Sequence, residues 1–292
     1  MSTCLVALII LSAFMHAGWN LLAWRQKSHG VVFMYRLLLA VAAIGFAPAL
    51  AAELRLGCMG RVWLYVLGSG VFSAAYCYCL ARGYETADFT VVYPLARALP
   101  VLMVAVADVA GGAHLTSFAW AGLALVAVGV ALAPLPSLGA FSRGHYLNRG
   151  TLWVALAALG TVGYTVLDSR GQKLVPPGPQ TALTYCYFYF LVTFVVYAVI
   201  MRIASRKVAA TESGGWSLPV AAALLNFAGY WLVLWVFQAI PQASYVLAFR
   251  QTSVIIAVAI AFLVFKEKGK AVRLAAAVLI CLGLIAIKFW GK

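Results

Sequence analysis

Acidic side chains are what this 292-residue chain has least of: 7 Asp and Glu stand against 21 Lys and Arg. Charge of either sign makes up 10% of the residues, where a soluble domain carries roughly 25%. Catalytic and metal-binding constellations are missing too. The histidines at 16, 29, 114 and 145 are scattered, and Cys77 and Cys79 have no second Cys or His pair beside them. No zinc site, disulfide frame or nucleophile–base pair is therefore expected. No Walker-type phosphate loop is present, so ATP hydrolysis by this chain is excluded. The expectation is a protein that is not an enzyme and needs no metal and no cofactor.

What is abundant is apolar surface. Hydrophobic residues make up 65% of the chain and the mean hydropathy is +0.99. A soluble fold of this size has too little interior to hide that much, so the chain reads as an all-α integral membrane protein. Spans are expected near 2–23, 31–51, 61–82, 87–109, 117–135, 150–168, 180–203, 217–239, 243–265 and 271–290. At about 20 residues each, ten spans leave no room for a soluble domain. Residues 1–23 lack the basic start and cleavage pattern of a signal peptide, so they are expected to be retained as the first span. The net charge of +14 then reflects residues that cap spans and meet lipid headgroups rather than nucleic acid. The expected partners are the bilayer and a small-molecule substrate.

The chain also repeats itself. The segment 122–131 aligns with 276–285 at an offset of 154 residues, placing Gly129 on Gly283. The segment 16–20 aligns with 161–165 at an offset of 145 residues, placing Arg25 on Arg170. This divides the chain into a first repeat at 1–135, a linker at 136–149 and a second repeat at 150–292. Five spans is an odd number, so the two repeats must enter the bilayer in opposite senses, as inverted five-helix repeats do. That arrangement suits alternating access, and with both repeats fused a monomer is expected to suffice.

Ionisable residues inside spans cost about 2.5–3.5 kcal/mol each on insertion scales, so each one needs a reason. Arg97 lies in the fourth span and Arg250 in the ninth; at the repeat offset Arg97 falls on Gln251, one residue from Arg250. Two guanidiniums at one depth suit a carboxylate or another anion, which a guanidinium grips by paired hydrogen bonds. His16 and Asn20 share a face of the first span, with Trp19 beside them, and His16 is a candidate for proton coupling. Tyr93 lies one turn before Arg97, and Asn226 one turn before Tyr230 and Trp231. All of these, with Gln251, are candidate substrate-binding residues. Pro94 and Pro100 interrupt the fourth span and are candidates for a gating bend.

Three stretches resemble the ten-span EamA branch of the drug/metabolite transporter superfamily. These are residues 14–25 (FMHAGWNLLAWR), 81–87 (ARGYETA) followed by Pro100, and 266–273 (KEKGKAVR). The sequence departs from the family pattern at Ala113, where a Glu is usual, and at Val254, where a second Pro is usual. The resemblance implies a transporter in a bacterial inner membrane, often an exporter of amino acids or amino-acid-like metallophores. It also implies cytoplasmic termini, which we take as the expectation. The Lys/Arg count opposes this, with six on the side of the termini and twelve on the other. The expected activity is export of a small anionic or zwitterionic metabolite. The alternative is proton-coupled export of lipophilic cations. Relatives that do this use a glutamate in the first helix, where this chain has only His16, and two buried arginines would repel a cation.

Overall fold

A computed structural model describes residues 3–110, 116–133, 135, 137–139, 142–204, 215–239, 250, 252–264 and 270–290. These form ten long helices. The first five are α1 (Thr3–Arg25), α2 (Gly30–Leu56), α3 (Trp63–Thr86), α4 (Phe89–Ala110) and α5 (Ser117–Leu132). The second five are α6 (Arg149–Gly171), α7 (Pro179–Ile203), α8 (Ser217–Ala239), α9 (Thr252–Val264) and α10 (Lys270–Trp290). A single helical turn, Arg143–Tyr146, lies in the connection between the halves.

Polar caps set several helix ends. Thr116 and Asn148 accept hydrogen bonds from Ala119 N (3.2 Å) and Thr151 N (3.0 Å), capping α5 and α6. Gly57, at φ 56°, closes α2 in the left-handed conformation that a side chain would resist. The Glu53 carboxylate then takes up Cys58 N (3.2 Å) and Met59 N (3.0 Å) in the loop beyond. Among the described residues, six helices, α1–α3 and α6–α8, are long and apolar enough to cross a bilayer. Shorter apolar helices lie at Phe89–Met103, Ser117–Leu132 and Ala271–Ala286. The outer surface carries Leu54 and Leu64 at 80% and 81% exposure, which fits a hydrocarbon surround rather than water.

The halves interlock instead of forming separate bundles. The closest partner of every helix lies in the opposite half: α1 on α8, α3 on α6, α2 on α7, α5 on α10, with α4 against α6 and α9 against α1. Exchanging the halves swaps α1–α8 with α3–α6 and α4–α6 with α1–α9, and returns α2–α7 and α5–α10 to themselves. The contact pattern therefore has the pseudo-two-fold symmetry of the sequence repeat.

Glycines make the closest of these crossings possible. A Cβ on Gly283 would lie 2.5 Å from Gly122 O, and one on Gly129 would lie 2.7 Å from Ala276 O. These are the same contact seen from each repeat, since Gly122 and Gly129 align with Ala276 and Gly283. Where α6 meets α3, a Cβ on Gly160 would lie 2.8 Å from Phe72 O. At the matching crossing of α1 and α8, Gly229 sits against Met15, and the Ser12 hydroxyl donates to Gly229 O (2.7 Å). In lipid, such small-residue contacts and interhelical hydrogen bonds replace the hydrophobic drive to associate. Gly283→Val should therefore force α5 and α10 apart and cost about 1–3 kcal/mol. Thermal unfolding of the purified protein in detergent checks this, with Leu282→Val on the exposed neighbouring position as the control.

Candidate functional site

α1, α4, Arg250 and the start of α9 meet in the buried interior, which brings both in-span arginines together. Arg97 and Arg250 are 5% and 3% exposed. An Arg97 Nη2 proton points at Arg250 O (3.5 Å), and Arg250 Nη2 lies 3.3 Å from His16 Nδ1. Trp19 Nε1 donates to the same His16 nitrogen at 3.1 Å. With two donors directed at Nδ1, the neutral imidazole carries its proton on Nε2. The Tyr93 ring lies 5.9 Å from the His16 ring, and its hydroxyl donates to Ser253 Oγ (2.9 Å), tying α4 to α9.

Three buried polar atoms of this cluster have no hydrogen-bond partner among the described residues: His16 Nε2, Arg97 Nε and Arg250 Nε. All three are donors in this arrangement. Nor does any described carboxylate pair with either arginine. Glu85 and Asp88, which precede Arg97 in the chain, are engaged elsewhere, Glu85 with Arg82 and Asp88 with Arg273 (2.8 Å). The cluster is a set of donors and positive charge short of acceptors.

The remaining expected site residues are placed differently. Asn20 is buried beside the cluster, but both ends of its amide are in use. Its Oδ1 accepts from Tyr84 OH (2.7 Å) and its Nδ2 donates to His16 O (2.8 Å). Trp231 is not brought to the arginines: its Nε1 donates to Pro179 O (2.9 Å) and its ring stacks on Trp235 at 6.0 Å. Adjacent residues on a helix point about 100° apart, so with Tyr230 turned inward Trp231 faces away. Asn226 is half-buried on α8. Pro94 and Pro100 lie inside a continuous α4. Gln251 lies outside the described residues.

Tyr230 leads to a second polar centre that sequence reasoning missed. Asp168, near the end of α6, is 0% exposed. One carboxylate oxygen accepts from Tyr185 OH on α7 (2.9 Å), and the other accepts from Tyr230 OH on α8. Gly171 makes room for this, since a Cβ there would lie 2.6 Å from the Tyr185 hydroxyl. The signal was present in an acidic residue within an apolar run. Hydropathy ends the sixth span at residue 168, however, which makes an in-membrane carboxylate look like a boundary residue.

A cavity of about 280 Å³ opens at the face opposite the chain ends, lined by Thr86, Asp88, Leu95, Asn148, Thr151 and Arg273 among others. It stops short of Arg97 and Arg250, so the cluster is closed in this conformation.

Interlocked helices in two equivalent halves around a closed polar cluster are the architecture of a multi-pass membrane carrier. The chain belongs to the EamA-like transporter family, whose pattern matches residues 4–134 and again 148–289. It is a membrane transporter of the drug/metabolite transporter type, as the resemblance in its sequence implied. No curated protein matches the chain significantly. One protein of known crystal structure aligns over 100% of this chain and 98% of its own length, with a TM-score of 0.64 at 16% identity. That likeness speaks for the fold alone.

Because its amide is already committed, Asn20 should matter more to stability than to substrate. Asn20→Ala leaves the Tyr84 hydroxyl buried and unpaired, at a cost of about 1–3 kcal/mol. The expected outcome is a lowered thermal midpoint with ligand affinity little changed, read by thermal unfolding and by equilibrium binding of a carboxylate.

Proposed function

We propose that the protein is a secondary active transporter that exports a small anionic or zwitterionic metabolite by alternating access. The substrate class is an amino acid or an amino-acid-like carboxylate, metallophores of that chemistry included. The observation that carries this reading is the surplus of donors between the halves: two buried guanidiniums and a neutral imidazole with three N–H groups unpartnered among the described residues. A carboxylate is the complementary group. Its two oxygens accept from a guanidinium in parallel, and its charge offsets the cost of burying the arginines.

The parts then have distinct roles. Arg97 belongs to the first half and Arg250 to the second, so a bound anion bridges both. Trp19 and Arg250 hold His16 with its Nε2 proton free for a substrate oxygen. The Tyr93–Ser253 hydrogen bond keeps α4 and α9 in register around the anion. Rearrangement about Pro94 and Pro100, where α4 lacks backbone donors, opens the cluster to one side and then to the other. The export direction rests on the family resemblance.

Flux into liposomes containing the purified protein tests this. The probes are a panel of zwitterionic amino acids and carboxylates against a panel of lipophilic cations. Counterflow of a member of the first panel is expected, with Arg97→Ala and Arg250→Ala each lowering its affinity about 10- to 150-fold. That corresponds to about 1.5–3 kcal/mol for charge-assisted hydrogen bonds. Counterflow of cations alone, unaffected by either substitution, would overturn the reading and leave the arginines structural.

A further inference from the structure

We infer that Asp168 is a proton-binding site inside the membrane, and that its protonation and release drive the transport cycle. The inference rests on the carrier reading above but not on its substrate class.

The argument begins with burial. Asp168 is 0% exposed, and no described cation pairs with it. Two tyrosine hydroxyls hold it from α7 and α8, and the buried Ser69 hydroxyl of α3 faces it as well. The other titratable groups around it are neutral side chains on the same helices: Cys186 and Tyr189 on α7, and Tyr65 on α3 beside Tyr185. An in-membrane carboxylate that serves only structure is normally matched by an Arg or Lys, because an unmatched charge is expensive there.

A cage of hydroxyls has a property that an ion pair lacks: it can satisfy both protonation states. The ionised carboxylate accepts from Tyr185 and Tyr230. The acid form donates its own proton to one hydroxyl, which rotates, and still accepts from the other. The exchange is therefore a simple one, in which a proton adds to a carboxylate oxygen and later leaves from it. No other bond changes.

The site is also placed to couple this exchange to the arginine cluster. Tyr230 touches Asp168 with its hydroxyl and packs its ring on Tyr189 and Tyr164, at 4.8 Å and 5.9 Å between centroids. Tyr164 and Tyr230 are both within electrostatic reach of the Arg250 guanidinium. The Asp168 cage joins α6, α7 and α8, all from the second half, and α6 and α8 make their main contacts on α3 and α1 of the first. A change in the hydrogen bonds of Tyr230 is thereby felt at the interface between the halves. His16, the proton site expected from sequence, has two donors already directed at Nδ1 and a cationic neighbour, so a second proton has no acceptor there.

Two measurements on the full-length protein in liposomes test the inference. The first is infrared difference spectroscopy across a pH titration. One buried carboxylic C=O band should appear on acidification, vanish in Asp168→Asn, and shift in frequency in Tyr185→Phe and Tyr230→Phe without being lost. A wild-type protein without such a band, or a band that survives Asp168→Asn, would overturn the inference. The second measurement follows the amino acid or carboxylate from the probe panel that gives the strongest counterflow. Wild type should accumulate it when a pH difference is imposed. Asp168→Asn should keep the exchange and lose the accumulation. Accumulation that survives in the variant, or that follows a sodium gradient instead, would overturn the inference. If no panel compound moves in wild type, the substrate class of the preceding section fails and the infrared titration alone decides Asp168.

Discussion

Two guanidiniums from opposite halves of the chain share one buried space with no described carboxylate to neutralise them. Burying one such charge costs several kcal/mol after relaxation, and placing a second beside it adds repulsion. Glycine crossings and interhelical hydrogen bonds elsewhere in the fold must bear that cost while the site is empty. A ligand that supplies negative charge and acceptors relieves it. The closed conformation is thus one whose balance depends on what occupies the cluster, which is the condition for a ligand to shift a carrier between states.

The interlocking of the halves explains how a local event reaches the whole molecule. Each helix packs chiefly against the other half, so neither half can turn without its partner surfaces re-registering. The α5–α10 crossing, where Gly129 and Gly283 bring backbones into contact, is built to stay closed. The polar groups lie elsewhere: the arginine cluster joins α1 and α4 to Arg250 and the start of α9, and the Asp168 cage joins α6, α7 and α8. The division is between a small-residue seam that holds and a polar interior that has alternatives.

Much of this was legible from residue order. Apolar runs located the helices, and the match of Gly129 with Gly283 marked a contact that the structure uses twice. The insertion cost of a charge singled out Arg97 and Arg250 as residues needing a reason. What the order of residues did not carry is the rotation of each helix about its axis and the ends of spans. Tyr230 and Trp231 are neighbours in the chain, yet one faces Asp168 and the other a tryptophan at the periphery. Asn20 has the chemistry of a ligand-binding residue, but its hydrogen bonds are taken by Tyr84 and by its own helix. Asp168 escaped because α6 runs one turn further than hydropathy implied.

The central claim is that the cluster holds an anionic group. The most direct measurement is calorimetric binding to the wild-type protein of each probe amino acid beside its own carboxamide, which keeps the side chain and loses only the negative charge. The account predicts that the acid binds at least about tenfold more tightly than the amide, as the loss of a charge-assisted pair requires. Equal affinity for the two would show that the arginines do not meet the substrate's charge, and would contradict it.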